Sequence, residues 1–297
     1  MTAYLLTITI FALIYSLMAL GLNLHWGHTG LINFGHVAFF AMGAYASALL
    51  TRRDVPIVGG MVVAIVAAGL LAYPMGYLTV RLKADYLAIV TIAFSEILRL
   101  ILLNSSWTGG PNGVTGVPRL FPGFRGRPYD VAFLLATLLA VVVVFWLLDR
   151  LIESPYGRVL WAIRENEAAA ESLGKDSAAV KTTSLVIGAA VAGLAGSLYA
   201  HYVNYVVPDQ FLPLITFYVW TGIILGGNSH LGAAVGTFVL MALMEGSRFL
   251  GDFGFPVSET KMAYLRFIIV GLVLILLLRF RPEGLLPYRK RPVPELV

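Results

Sequence analysis

Apolar residues in this chain run in long continuous blocks. Nine are legible: residues 4–24, 31–50, 57–80, 86–104, 130–148, 182–207, 213–225, 231–250 and 263–280. A helix needs roughly 20 apolar residues to cross about 30 Å of hydrocarbon, and most of these blocks reach that length. Strands of a membrane barrel would alternate apolar and polar positions, and these blocks do not. The pattern predicts an all-α polytopic transmembrane bundle with about eight or nine membrane segments. Two blocks depart from the simple span. Residues 213–225 are short and bracketed by Pro213 and the pair Gly226-Gly227, which predicts a re-entrant segment; residues 31–50 open on a polar, Gly-containing stretch, which predicts a broken one.

Composition removes the soluble alternative. Charged residues make up 12% of the 297 positions and hydrophobic ones 59%, whereas about a quarter of a soluble domain is charged. Too little polar surface remains to cover a water-facing core. The chain has no cysteine, so disulfides, thiolate metal sites and cysteine nucleophiles are excluded. A net charge of +5 is ordinary for basic cytoplasmic loops and gives no support to nucleic-acid binding. The first apolar run lacks a basic n-region and a small-residue cleavage site, so it reads as a permanent helix, not a signal peptide. The two longest polar pieces, 105–129 and 149–181, are too small to bury a core of their own. We therefore expect one transmembrane domain over residues 1–297.

Lysine and arginine set the orientation. The segment 149–181 carries Arg150, Arg158, Arg164, Lys175 and Lys181, and the tail carries Arg279, Arg281, Arg289, Lys290 and Arg291. Four blocks separate them, so both fall on the cytoplasmic side, with Arg81 and Lys83. Within 149–181, Ser154-Pro155 reads as a helix start. The run from Arg158 to Ser172, rich in Ala, Glu and Leu, continues that helix, and Gly174 stops it.

Two acid–base pairs sit inside apolar blocks at i, i+3: Glu96 with Arg99, and Glu245 with Arg248. That spacing puts both partners on one helix face. An intramembrane charge costs roughly 2.5–3.5 kcal/mol on insertion scales, so neither pair is expected to face lipid. Structural pairs turned to the bundle are the plain reading; a gate or solute contact is the sharper one. The region 21–40 holds four glycines and two asparagines between apolar stretches, which weakens helix continuity. Non-helical backbone at membrane depth is tolerated where protein or a water-filled path surrounds it. Asn23, Trp26, Asn33 and His36 are thus candidates for lining a path, as is Asn112 in the glycine-rich outer loop; a short interfacial loop anchored by Trp26 is the rival reading. Gly188, Ala192, Gly193 and Gly196 form a small-residue stripe suited to close helix packing. The glycine-rich run 108–116 lacks the Gly-Lys-Ser/Thr ending of a phosphate loop, and Gly174-Lys175-Asp176 also fails it. His25, His28 and His36 lack metal-site spacing, so no metal is expected.

Glu167-Ala168-Ala169 followed by Gly174 resembles the EAA loop of bacterial ABC-transporter permeases, although four residues intervene before the glycine where that loop has three. The stretch from Gly21 through Asn33-Phe34-Gly35-His36 to Phe40 is similar to the N-terminal signature of LivM-type permeases of the branched-chain amino acid family. So are Asp85-Tyr86, Gly109-Gly110-Pro111-Asn112-Gly113, Leu225-Gly226-Gly227 and Arg281-Pro282-Glu283-Gly284. The resemblance covers essentially the whole chain. It implies a permease subunit in a bacterial or archaeal cytoplasmic membrane, paired with a LivH-like permease, two ABC ATPases and an external solute-binding protein. It implies that Arg164, Glu165, Glu167, Ala168, Ala169, Leu173 and Gly174 couple the chain to an ATPase, with 149–181 as coupling segment and 281–297 as cytoplasmic tail. It implies no cofactor on this chain, ATP being consumed by the partners, and no enzymatic activity. Urea or short amides are the alternative solutes. An ion-coupled secondary transporter using Glu96 or Glu245 is the alternative of another kind, and a membrane-embedded enzyme has no catalytic cluster to support it.

Overall fold

The computed structural model describes residues 2–79, 82–246, 268, 271–272, 275–276, 279–280 and 284–286. Among these, ten α-helices follow one another: α1 (Thr2–Asn23), α2 (Val37–Thr51), α3 (Ile57–Thr79), α4 (Ala84–Asn104), α5 (Arg127–Glu153), α6 (Pro155–Glu165), α7 (Glu167–Ser172), α8 (Ser177–Val203), α9 (Leu214–Gly226) and α10 (His230–Gly246). Six segments are long and apolar enough to cross a membrane: Tyr4–His28, Ile57–Leu78, Asp85–Asn104, Arg127–Glu153, Ser177–Val203 and Pro208–Gly226. Val37–Thr51 and His230–Met244 are apolar but shorter. The fold is a helical polytopic bundle. Most of the last apolar block, Arg248 and nearly all of the tail lie outside the described residues.

α1, α2 and α8 form the centre, and α3, α4 and α5 turn apolar side chains such as Leu70, Ile89 and Leu139 outward. Small residues let the central helices touch backbone to backbone. A Cβ on Gly188 would strike the His25 ring and the carbonyl of Gly21; one on Gly193 would strike Ala64 and Ala68; one on Gly196 would strike the carbonyl of Phe40. The small-residue stripe therefore does what its spacing predicts: it replaces side-chain volume with backbone proximity.

Two breaks shape the inner part of the bundle. α1 ends in a π-turn, Leu24–His28, and the chain then runs without helix from Gly30 to Gly35 before α2 begins. The break foreseen before α2 is real, and it shortens α2 to 15 residues, about 23 Å at 1.5 Å per residue. The second break lies between α8 and α9. Asn204, in the left-handed conformation at φ 65°, ends α8, and Tyr205–Val206 then pairs antiparallel with Val114–Thr115 of the loop between α4 and α5. A 3₁₀ turn, Pro208–Phe211, leads into α9. The block expected to be re-entrant is thus lengthened by this turn into the candidate span Pro208–Gly226.

The segment 149–181 differs from the single helix expected from Ser154-Pro155 to the stop at Gly174. It is two helices, broken at Asn166, whose φ of −156° is extended. The Asn166 side chain accepts from the Ala169 amide at 3.0 Å and so caps α7. A cap of this kind contributes about 1 kcal/mol, which offsets the lost helical continuity. The outer ends of the segment follow expectation. Ser154 caps α6 with Pro155 in the first turn, and Gly174, at φ 77°, closes α7.

Candidate coupling segment and translocation core

α6 is bound to the bundle along one face. Gly157, Leu160 and Ile163 are buried, and the Tyr156 hydroxyl donates to the carbonyl of Val180 on α8 at 3.0 Å. Burial pushes the Tyr156 phenol up to about 12. Arg164 at the end of α6 turns inward. Its Nη1 donates to the carbonyl of Gly27 in the π-turn, and its guanidinium lies over the Trp161 ring, 5.1 Å from the centroid. Trp161 meets His28 edge-on at 5.6 Å. One helix of the segment 149–181 is thereby tied to the turn that ends α1.

α7 presents the opposite arrangement. Ala170 is buried, and Glu167 is held by Lys181 of α8 at 2.5 Å. Partial burial of Glu167 opposes its charge, but the hydrogen bonds from Lys181 and Ser177 outweigh this and hold the carboxyl below its usual range. Glu171 accepts from Ser177. Glu165, Ala168, Ala169, Leu173 and Gly174 all face outward. Leu173 is 80% exposed, an apolar knob at the tip of a polar segment. Of the seven residues expected to couple, Arg164 and Glu167 anchor the segment to the bundle and the other five form its free surface.

The break between α1 and α2 gathers the polar core. Asn23 donates through Nδ2 to the carbonyl of Asn228 and to His230 Nδ1, both at 3.2 Å. Asn33 Nδ2 lies 3.3 Å from His25 Nδ1, while His25 Nε2 lies 3.1 Å from the carbonyl of Leu185. If Asn33 donates, the His25 ring is the Nε2–H tautomer. His36 stacks edge-on against His25 at 5.0 Å, and His28 packs on His230 at 4.5 Å. Side chains from α4, α9 and the break itself satisfy the backbone here: Thr91 accepts from the Phe34 amide, Asn33 from Gly35 and Thr216 from Val37, and Trp220 Nε1 donates to the Asn33 carbonyl. That is the condition under which irregular backbone persists inside a membrane protein. Trp26 packs against Trp220 at 4.7 Å. Asn23, Trp26, Asn33 and His36 are therefore brought together; Asn112 is not, being exposed in a 3₁₀ turn of the loop between α4 and α5.

The first charge pair forms as its spacing suggests. Arg99 Nε reaches both Glu96 oxygens at 3.0 and 3.1 Å, and Nη2 reaches Oε1 at 2.6 Å. A third member was not foreseen. Arg99 Nη1 also meets Asp209 Oδ1 at 3.1 Å. Its signal was present in the sequence as an acid between Pro208 and Gln210, inside a span broken by prolines. For the second pair, the Glu245 side chain and Arg248 lie outside the described residues. His25 was weighed only as a metal ligand, not as a member of the polar core, and His230 was missed because it sits singly beside an apolar run.

A helical bundle with broken central helices, a buried polar junction and a polar segment, 149–181, wired to that junction is the architecture of a membrane transport subunit. Comparison with known proteins makes this particular. Residues 4–278 match the sequence model described as branched-chain amino acid transport system / permease component. The chain is 36% identical to the high-affinity branched-chain amino acid transport system permease protein LivM of Escherichia coli, over 93% of this chain and 68% of that protein. It is 26% identical to the probable branched-chain amino acid transport permease protein LivM of Methanocaldococcus jannaschii, over 95% of this chain and 93% of that one. It also matches the E. coli permease protein LivH, 27% identical over 76% of this chain and 79% of that protein. No solved structure matches. The chain belongs to the branched-chain amino acid transport permease family.

Proposed function

We propose that this chain is the LivM-type permease of an ATP-driven importer that carries branched-chain amino acids across the bacterial or archaeal cytoplasmic membrane. It pairs with a LivH-like permease and works with two ABC ATPases on the cytoplasmic face and a solute-binding protein outside. The C-terminus is cytoplasmic. ATP is bound and consumed by the partner subunits; this chain holds no cofactor, contacts no nucleic acid and catalyses no reaction of its own.

One observation carries the coupling role. The segment from α6 to Gly174 is anchored inward at Arg164 and Glu167 while it exposes Ala168, Ala169 and Leu173. A loop serving only to connect α5 with α8 has no need of both an inward tie to the π-turn and an apolar knob facing water. Movement of a docked ATPase pulls on α6, and Arg164 passes the displacement to Gly27 and to the junction of Asn23, Trp26, Asn33 and His36. These four line the path when the junction opens, and Asn112 stands at its outer mouth.

Deletion of residues 167–174 tests this. The expected result is a protein that still inserts and still pairs with the second permease but no longer co-purifies with the ATPases. Undiminished co-purification would overturn the assignment.

A further inference from the structure

We propose that the hairpin of α9 and α10 is a gate over the polar junction, and that residues 284–286 of the tail form the latch that holds it shut. The proposal rests on the transport reading above and adds its moving part and the catch on that part.

The end of α9 has unmet needs. A helix leaves its last carbonyls without donors of its own, and α9 turns almost at once into α10, through Gly227 at φ 101°. The turn itself supplies one donor, the Gly227 amide, 2.8 Å from the Ile223 carbonyl. The tail supplies two more. The amides of Leu285 and Leu286 donate to the carbonyls of Leu225 and Gly226 at 3.0 and 2.8 Å. Ser229 completes the catch, its hydroxyl donating to the Leu286 carbonyl at 2.8 Å across 57 positions of sequence. Gly284 permits the approach: its φ is 84°, and a Cβ there would come 2.5 Å from the Gly227 amide nitrogen. The glycine motif at 225–227 and the one that ends at Gly284 therefore exist for each other, the second capping the helix that the first terminates.

The hairpin is built to move as one body. A Cβ on Gly226 would strike the carbonyl of Gly232, and one on Gly236 would strike that of Gly222, so α9 and α10 lie backbone to backbone. The hairpin also covers the junction: Thr216 and Trp220 bond the broken segment, and the turn meets Asn23 at the Asn228 carbonyl and at His230. The seam with α1 is of another kind. Asn23 Oδ1 and His230 Nε2 are both buried there and make no hydrogen bond. Such atoms raise the free energy of the closed seam and are hydrated once it parts. The contact within the hairpin is thus made to stay, and the seam beside it is made to open. The latch is correspondingly light. Leu285 and Leu286 are 37% and 38% exposed, so the catch is made by hydrogen bonds near the surface, not by a buried core.

The test uses the complete transporter in vesicles, with both permeases, the ATPases and the binding protein, the partners being cysteine-free. Ser229→Cys and Leu286→Cys are combined in this chain, which has no cysteine of its own, and joined by a bifunctional thiol reagent with a reducible link. Joining should lower leucine uptake at least about tenfold, the scale of coupling between two states, and reduction should restore it. Full uptake by the joined protein overturns the proposal, because the latch then never needs to release. A second arm weakens the latch instead. Ser229→Asp still accepts from the Gly232 amide and so keeps the cap of α10, but has no proton for the Leu286 carbonyl. On a His230→Cys background, the thiol at the seam should react with a small maleimide about tenfold faster with Ser229→Asp than with Ser229→Thr, the scale of one hydrogen bond lost from the closed state. Equal rates overturn the proposal, since the tail then holds nothing shut. This arm needs no solute: if the unaltered complex is inert toward leucine while the rates still follow position 229, the amino-acid reading fails and the latch stands.

Discussion

Arg164 on α6 donates to the carbonyl of Gly27, in the π-turn where α1 gives way to the broken segment before α2. The two residues are 137 positions apart. The contact joins the largely exposed segment of α6 and α7 to the break that interrupts the central helices. A π-turn has a widened backbone with carbonyls free to be used, and such turns are frequent at functional sites.

The first prediction follows from that contact. Arg164→Ala removes the inward tie but leaves Ala168, Ala169 and Leu173 unchanged on the surface. ATPases should still co-purify, while transport per ATP hydrolysed should fall by about tenfold, one charged hydrogen bond being worth 1.5 kcal/mol or more. Arg164→Lys should recover part of it, since a lysine can reach Gly27 but cannot stack as a planar guanidinium on Trp161. Measuring uptake and hydrolysis together in the same vesicles separates this outcome from simple loss of binding.

A second prediction concerns α7 and has a definite pH sign. The Glu167 carboxyl is held below its usual range by Lys181 and Ser177. Its ion pair is therefore in place at and above the ordinary carboxylate range and is lost as pH falls through the lowered value. A spin label at position 172 should be equally immobile from neutral pH down to about pH 5, and should loosen only below the reference carboxylate value of about 4.3. Lys181→Met should give the loose spectrum already at neutral pH. No change in that variant would show that the buried Ala170, not the ion pair, holds α7.

Much of this was legible beforehand, for reasons that differ by residue. Long apolar runs dictate membrane helices because backbone polar groups have no water to turn to, so spans such as α3 and α5 followed directly from the chain. Ser154-Pro155 and Gly174 marked helix ends through capping chemistry that acts within a few residues. The break at Asn166 was hidden because the flanking alanines and glutamates favour helix, and only the cap to Ala169 decides otherwise. Glu96 and Arg99 declared themselves by local spacing; Asp209 did not, since its partner is 110 residues away. The polar junction was seen as glycines and asparagines, yet its satisfaction by Thr91, Thr216 and Trp220 depends on tertiary contacts that no local pattern encodes.

Orientation is open to a direct check. The chain has no cysteine, so single cysteines placed at positions 165 and 290 report without background. Both should react with a membrane-impermeant maleimide only after the cytoplasmic face is opened. Labelling of either from outside would reverse the assignment of the segment 149–181 or of the tail.

The last prediction tests the close packing on which the broken centre depends. Gly196 of α8 lies against the Phe40 carbonyl and the Ala44 amide of α2, and an added Cβ would collide with the first. Nothing nearby is the end of a flexible side chain, so the backbone itself must shift. Gly196→Ala should therefore lower unfolding stability in detergent by about 1–3 kcal/mol, the usual cost of overpacking. Gly174→Ala is the contrasting case: its Cβ would meet nothing within 4 Å, but its φ of 77° is costly for a side chain. It should leave the bundle's unfolding transition in place and loosen only the end of α7, read by the same spin label. If Gly196→Ala unfolds like the unaltered chain, α2 and α8 have room to separate, and the short helix α2 is held by the Val37–Thr216 hydrogen bond and by those of Ser47 with Ser197 and His201 of α8 rather than by backbone contact.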